Sequence, residues 1–234
     1  MEFIVHASGS SGNCYQVTSG ENSILVDPGI PIARIKQVLN YRLYEILAVL
    51  VSHSHGDHSA GVKKIVAAGI DTYMTLETAK ALNVSGHRTH QILPLQRYTI
   101  NNFQDEHAFT IVPFETQHDC PGSVGFLISD GADRLLFITD SFYVHNRFKG
   151  LNIIAIECNW AEETLAPNLE PVVRKRLYKS HFSLANVEKF LLANDLNAVR
   201  EIHLIHMSNG NSDPAMFKQR IERLTGLPTI THRP

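Results

Sequence analysis

The chain has 234 residues and a formal net charge of −2, with 44% hydrophobic and 19% charged residues. These values are typical of a globular protein with a substantial core, and they provide no global positive field toward nucleic acid or membrane. Three widely separated cysteines (Cys14, Cys120 and Cys158) argue against a disulfide framework, and no apolar stretch approaches membrane-spanning length, so we expect a reducing cytoplasm.

Predicted strands and helices alternate in the first third of the chain. Short β-like runs predict strands at 2–7, 14–19 and 23–27. A helix is predicted at 31–40, where proline suits the first turn. The run ILAVLVSH at 46–53 is typical of a buried strand, and a helix stopped by glycine follows at 61–69.

The remaining chain predicts more strands and three further helices. Apolar runs indicate strands within 97–100, 109–118, 123–130, 134–140, 152–159 and 201–206. The helices are predicted at roughly 162–179, 183–194 and 214–226. Strands with interspersed outer helices favour two packed sheets covered by helices, formed by one domain over residues 1–234.

A cluster of three histidines and one aspartate, HSHGDH, follows the predicted buried strand. Neutral imidazole and carboxylate are ligands favoured by zinc, iron and manganese. His53 and His55 alternate, so an extended backbone directs both to one side. The next residue is glycine, where the chain can turn and point Asp57 and His58 toward a second position. A polar surface loop is the weaker alternative, because the cluster follows a buried strand.

Three other apolar runs end in a residue that can bind a metal, namely His118, Asp140 and His206. One such ending would mean little, because capping and turn roles explain most single Asp or His residues. Together with the cluster, however, they supply enough ligands for two metal sites with one bridging carboxylate. The seven candidates are His53, His55, Asp57, His58, His118, Asp140 and His206.

With these residues the chain resembles the metallo-β-lactamase-fold hydrolases. The resemblance implies an α/β fold, a four-layer αββα sandwich, with two divalent ions (zinc or manganese) at one edge. The implied ligands are His53, His55 and His118 for one ion, Asp57, His58 and His206 for the other, and Asp140 as the bridge. Asp27, in LVDPG, matches the acidic residue that orients the metal loop, as expected for ligating histidines. A turn-forming role before Pro28 is compatible with this one.

Three further motifs are similar to a narrower group, the bacterial YycJ/WalJ-type proteins, which are associated with DNA exonuclease activity, and related phage proteins. These motifs are ASGSSGNCY near the N-terminus, ECN at 157–159 and IHMSNGNSD at 205–213. The resemblance implies a metal-dependent phosphodiester hydrolase, with a nuclease acting on DNA ends as the first hypothesis. A metal pair suits this chemistry, because it lowers the pKa of bound water to roughly 7 and provides a hydroxide nucleophile.

Two catalytic residues are predicted, Asp57, which is also a ligand, and His181. A diester needs charge stabilisation and a proton for its leaving group, and His181 in KSHFSL is the candidate donor. The SHFS stretch is similar to the extra histidine motif in phosphodiesterases of this fold. The alternative is an ordinary polar residue before an N-cap at Ser183.

The segment RKRLYK supplies the candidate phosphate-binding residues Arg174, Lys175 and Arg176. They would contact a nucleic-acid or nucleotide phosphodiester if the segment faces the cleft. The alternative is a solvated helix face, since charge runs on helices more often have that role.

Two other functions stay open at this stage. A cyclic-nucleotide phosphodiesterase, like the phage anti-Pycsar proteins, suits a compact chain with low net charge. A non-catalytic nucleotide-binding protein is disfavoured, because a binder has no need for seven metal ligands. No membrane partner is expected, and the sequence leaves open the native metal, the presence of a homodimer and whether Cys120 or Cys158 contacts the site.

Overall fold

The computed structural model describes residues 1–101 and 109–233, which form two mixed β-sheets flanked by helices. Six strands form the first sheet: β1 Glu2–Ala7, β2 Cys14–Ser19, β3 Asn22–Val26, β4 Ile46–Leu50, β5 Asp71–Met74 and β6 Thr89–Gln91. Seven form the second: β7 Tyr98–Ile100, β8 Phe109–Glu115, β9 Val124–Ser129, β10 Arg134–Ile138, β11 Ile153–Glu157, β12 Glu201–Ile205 and β13 Thr229–Thr231.

Seven α-helices accompany these strands in the described residues. They are α1 Ile32–Val38, α2 Gly56–Ser59, α3 Val62–Ala67, α4 Leu76–Leu82, α5 Pro171–Ser180, α6 Leu184–Leu192 and α7 Pro214–Thr225. Short 3-10 turns occur at Leu43–Glu45 and Glu162–Thr164. Within the described ranges, none of the helices combines the length and the apolar character that crossing a bilayer requires.

Each sheet contains an antiparallel and a parallel half. In the first sheet, β1, β2 and β3 pair antiparallel, whereas β3 to β6 pair parallel. In the second sheet, β10, β11, β12 and β13 pair parallel, and β7 to β10 pair antiparallel. The carboxyl ends of the parallel strands within each sheet therefore meet at one edge, where loops are free to carry functional side chains.

Alternating side chains along the central strands produce the four layers. In β4, Ala48 and Leu50 join the core between the two sheets, whereas Val49 joins the core beneath α1 and α3. In β11, Ala155 faces the other sheet and Ile154 packs with α6 and α7. Strands covered on both faces carry nearly continuous apolar runs. The predicted αββα sandwich is confirmed.

The predicted helix at 162–179 is wrong in its first half. Only a 3-10 turn, Glu162–Thr164, forms there, and α5 begins at Pro171. Proline lacks the N–H that a helix interior requires and disfavours the helical conformation of the preceding residue, so Pro167 and Pro171 separate the two pieces. Sequence reasoning also missed the strands β5, β6 and β13 and the helix α4.

A histidine pair joins β12 to the end of β13. Nδ1 of His203 lies 2.9 Å from Nε2 of His232, and their rings stack with centroids 5.1 Å apart. Burial lowers the pKa of His203, and burial together with His203 lowers the pKa of His232 to about 4, from 6.5. Both rings are therefore neutral in the folded protein at neutral pH. Their contribution to stability is complete above about pH 6.5 and is lost as the pH falls toward 4.

We expect His232→Gln to reduce the acid sensitivity of the fold, because an amide cannot titrate yet still reaches His203. Melting temperatures of the wild type and the variant, measured with a chelator from pH 7 to about pH 4.5, should converge or cross as the pH falls. His87→Gln replaces an exposed histidine and should follow the wild type. Parallel curves for wild type and His232→Gln would contradict this assignment.

Candidate metal centre

Strand ends from both sheets carry the seven predicted ligands into one cluster. His53 and His55 follow β4, Asp57 and His58 lie in α2, and His118, Asp140 and His206 follow β8, β10 and β12. His206 has a left-handed backbone with φ of 50°, so the chain turns sharply where β12 ends. Asp27 turns in the same way after β3, with φ of 51°. A positive φ is uncommon for residues other than glycine and often marks a functional site.

The short helix α2 is held against the loop that follows β3. Gly29 packs so closely on Asp57 that a Cβ at position 29 would overlap the Asp57 carbonyl oxygen. The backbone N–H of Asn13 donates to the same oxygen at 2.8 Å, and its side-chain Nδ2 donates at 3.0 Å. Glycine is thus required at position 29 for the backbone to approach Asp57.

The first ligand group comprises His53, His55, His118 and Asp140, whose donor atoms lie within 4.8 Å of one another. Nε2 of His53 and Nε2 of His118 each lie 3.1 Å from Nδ1 of His55. Oδ2 of Asp140 lies 3.9 Å from the first Nε2 and 3.7 Å from the second. Tetrahedral donors about 2.1 Å from a zinc ion lie about 3.4 Å apart, so this spacing fits one ion.

Two further groups with equally close donor atoms share His206. One comprises Asp140, Glu157, His181 and His206, and the other, called the second ligand group, comprises Asp57, His58 and His206. Oδ2 of Asp57 lies 3.4 Å from Nε2 of His58 and 3.4 Å from Nε2 of His206. Oδ1 of Asp140 lies 3.2 Å from Nε2 of His58. Asp140 therefore presents one carboxylate oxygen to each group.

Asp27 orients two ligand histidines, one directly and one through a serine. Its Oδ2 accepts hydrogen bonds from Nδ1 of His58 and from Oγ of Ser52, at 2.8 and 2.7 Å. Because the Ser52 hydroxyl hydrogen is used in this way, Nδ1 of His53, at 2.9 Å, donates to the Ser52 oxygen. Both rings consequently keep Nε2 free for the cluster. The buried Asp27 has the position expected for its predicted orienting role.

Glu157 is the residue of this centre that sequence reasoning missed. It is fully buried at the end of β11, and its Oε1 accepts hydrogen bonds from Nδ1 of His181 at 2.7 Å and Nδ1 of His206 at 2.9 Å. Its Oε2 accepts the backbone N–H groups of Ser141 and Phe182. The available signal was the one that identified the ligands, an apolar run ending in a carboxylate.

The electrostatics of the cluster favour a bound cation. Burial lowers the pKa of His53 and His118, so both are neutral, which is the form that binds metal. Burial also lowers the pKa of His206, but Asp140 and hydrogen bonds with carboxylates such as Asp57 raise it to about 10. The carboxylates thus favour positive charge in the cluster. In the absence of metal this charge is a proton on His206, and a divalent cation would replace it. Donor types, spacing and outer hydrogen bonds all fit divalent metal.

A cleft of about 300 Å³ opens over the two ligand groups. One side is formed by α5, from which Val173 and Leu177 line the cleft, and Ser10 lies on its wall. His181 follows α5 and also lines the cleft. His181 therefore faces the same space as the candidate ligands. Two residues later, Ser183 caps α6 as expected, because its Oγ accepts the backbone N–H of Asn186 at 3.1 Å.

The predicted basic segment reaches this cleft through one residue. Arg176 lines the cleft, and its Nε donates to Oδ2 of Asp119 at 2.8 Å. Arg174 and Lys175 are not among the residues that line it. The structure thus brings Arg176 to the candidate centre and leaves its two neighbours on other faces of α5.

The two cysteines near the predicted site have different surroundings. Sγ of Cys120 lies 3.3 Å from Oγ of Ser54, which stands between two ligand histidines. Cys158 is fully buried in the core beneath α6 and α7, and burial raises the pKa of its thiol well above the ordinary value. Neither residue belongs to a ligand group formed by the described part of the chain.

Comparison with known proteins finds relatives that align with most of this chain. The exodeoxyribonuclease YycJ of Bacillus anthracis is 24% identical over 237 residues, which cover 96% of this chain and 89% of that protein. The exodeoxyribonuclease WalJ of Streptococcus pneumoniae serotype 2 (strain D39) is 25% identical over 226 residues, covering 90% and 83%.

The solved structures show the same fold. The metallo-beta-lactamase fold protein YhfI from Bacillus subtilis superposes with a TM-score of 0.71 at 16% identity, covering 99% of this chain and 96% of that one. The sequence profile of the metallo-beta-lactamase superfamily matches residues 7–167, which is more than half of the chain. The predicted resemblance is therefore confirmed, and the chain belongs to the metallo-beta-lactamase superfamily of hydrolases.

Proposed function

We propose that the protein is a metal-dependent phosphodiesterase that removes nucleotides from DNA ends. The observation that carries this proposal is the arrangement of two ligand groups around Asp140, with His181 on the same cleft. Such an arrangement suits two divalent ions, zinc or manganese. The relatives named as exodeoxyribonucleases, which align over most of the chain, support the choice of DNA.

The chemistry at phosphorus divides between the ions and the protein. Two ions held by the ligand groups would supply Lewis acidity, which would stabilise charge on phosphoryl oxygens and lower the pKa of an attacking water. Asp57 lies at the cleft with its side chain 24% exposed, and it is ionised, because His206 and His58 overcome the effect of burial and lower its pKa. It can therefore accept a hydrogen bond from the water and orient it toward phosphorus.

His181 is the proposed proton donor for the leaving oxygen. Nδ1 is engaged by Glu157, so Nε2 is the ring nitrogen that remains for a substrate. Burial lowers the pKa of His181, but the Glu157 carboxylate outweighs burial and raises it, so the ring can carry the proton that it transfers. Glu157 acts here as a positioning residue, because it also holds the N–H of Phe182 next to the histidine.

Purified protein supplied with manganese or zinc should be tested on linear and circular DNA, RNA and cyclic nucleotides. We expect release of nucleotides from linear DNA and no cutting of closed circles. Hydrolysis of cyclic nucleotides without cleavage of linear DNA would reverse the substrate assignment. We place this activity in the cytoplasm, because all three cysteines are free thiols.

Arg176→Ala is expected to weaken DNA binding by up to about fivefold, because an exposed ion pair is worth at most about 1 kcal/mol. The slope of log K against log salt should fall by about 0.7–0.9, the value for one phosphate contact. Lys175→Ala removes an exposed charge from the same helix and is the matched control. Equal effects of the two substitutions would contradict a specific role for Arg176.

A further inference from the structure

Another depression, of about 230 Å³, lies between α6 and the loop that joins β10 to β11. It is lined by Tyr143, Arg147, Phe182, Asn186, Lys189 and Phe190, and we call it the Tyr143 depression. Phe182 and Phe190 are almost fully buried and form an apolar floor. The Tyr143 side chain is 41% exposed, and its ring meets the ring of His145 edge-on at 4.8 Å. A partly exposed aromatic ring therefore lies beside an apolar surface.

The rim of the Tyr143 depression is positively charged. Arg147 and Lys189 both line it and are both exposed. Nη1 of Arg147 donates to the backbone carbonyl oxygens of Val144 and Asn146, at 3.4 and 3.2 Å. Within residues 1–101 and 109–233, neither Arg147 nor Lys189 forms an ion pair with a carboxylate. The lysine and arginine side chains that do so are Arg42, Arg88, Arg176, Arg200, Lys218 and Arg220. Two cationic groups thus remain available to an anion beside an exposed ring.

The Tyr143 depression adjoins the candidate metal centre through two chain connections. Tyr143 is three residues beyond Asp140, so their Cα atoms lie at most about 11 Å apart. Phe182 directly follows His181, and its N–H donates to Glu157. The Tyr143 depression is therefore within reach of a strand whose phosphate lies beside Asp140.

We propose that the Tyr143 depression binds a single-stranded nucleic-acid segment next to the phosphate that is cleaved, with one base stacked on Tyr143. Arg147 and Lys189 contact its phosphates. The combination of an exposed aromatic ring, an apolar floor and unpaired cations is the chemistry by which proteins hold single strands. The inference rests on the proposed function, since it assigns the substrate as a strand rather than an isolated small nucleotide.

The test is a binding measurement with fluorescently labelled single-stranded DNA whose phosphorothioate linkages resist hydrolysis. A second strand of equal length carries abasic residues, so that it keeps the phosphates and lacks the bases. Tyr143→Ala should weaken binding of the base-bearing strand by about 5- to 150-fold, the usual effect of losing one stacking ring. Binding of the abasic strand should be little changed.

The double variant Arg147→Ala/Lys189→Ala should weaken binding of both strands and lower the salt slope by about 1.4, corresponding to two phosphate contacts on a single strand. Tyr44→Ala and Lys64→Ala are matched controls, since both residues are exposed on the opposite helical layer. Equal affinity of Tyr143→Ala and wild type for the base-bearing strand would overturn the proposal. Because binding is measured without turnover, a failure to hydrolyse DNA would contradict only the proposed reaction.

Discussion

Asp140→Asn is expected to lower the rate of phosphodiester hydrolysis by about 10³-fold or more, because two bound metal ions would stabilise the transition state by several kcal/mol. The Asp140 carboxylate offers one oxygen to each ligand group, so the amide removes an anionic ligand from both. Metal content measured by elemental analysis should fall from about two ions per chain to one or fewer. Hydrolysis of a nitrophenyl phosphodiester gives the rate.

The matched control for this substitution is Glu21→Gln, which neutralises an exposed carboxylate in the turn between β2 and β3. It should retain the metal and the rate of the wild type. His118→Ala, which removes a neutral ligand of the first group, should also abolish hydrolysis. A metal-free preparation with full activity would refute the two-ion proposal.

His181→Ala is expected to keep both ions and to lower the catalytic rate on DNA by roughly 10²–10⁴-fold, the usual range for a lost general acid. Its ring faces the cleft beside the ligands, and Glu157 holds it there by a 2.7 Å hydrogen bond. A nitrophenyl leaving group needs little protonation, so a nitrophenyl phosphodiester should lose much less rate. The two rates, measured on the same preparation, separate proton donation from binding.

Elemental analysis of the same sample provides the control for the His181 prediction. If the variant loses its ions, then its low rate reports damage to the centre instead of a missing proton. His87→Ala, at an exposed site, should behave as wild type on both substrates. Equal losses on DNA and on the nitrophenyl diester, with both ions present, would show that His181 does not donate to the leaving group.

The layered fold could be predicted because its central strands are covered on both sides. Runs such as 46–51 and 153–156 are continuously apolar, and their length and flanking turns identify them as strands. The strands that were missed, β5, β6 and β13, have only three or four residues. Their pattern is too short to show a period, and their place in the sheet depends on pairing with neighbours that are distant in sequence.

The clustering of the candidate ligands could be predicted because they follow buried strands, and the carboxyl ends of neighbouring strands meet at one edge. Glu157 also ends a buried strand, but the motif ECN that contains it indicates no chemical role for it. What the sequence could not show is direction. Only the fold reveals that α5 turns Val173, Arg176 and Leu177 toward the cleft and leaves Lys175 outside it.

The position of Asp140 between the two ligand groups has a mechanical consequence. His53, His55, Asp57 and His58 extend from the first sheet, and His118, Asp140 and His206 from the second. An ion bound by residues from both sheets would link the first half of the chain to the second across the interface between the sheets. At a free ion concentration 100 times its dissociation constant, it would resist separation of the halves with about 2.7 kcal/mol. The rate at which such an ion dissociates would therefore report how often the two sheets separate.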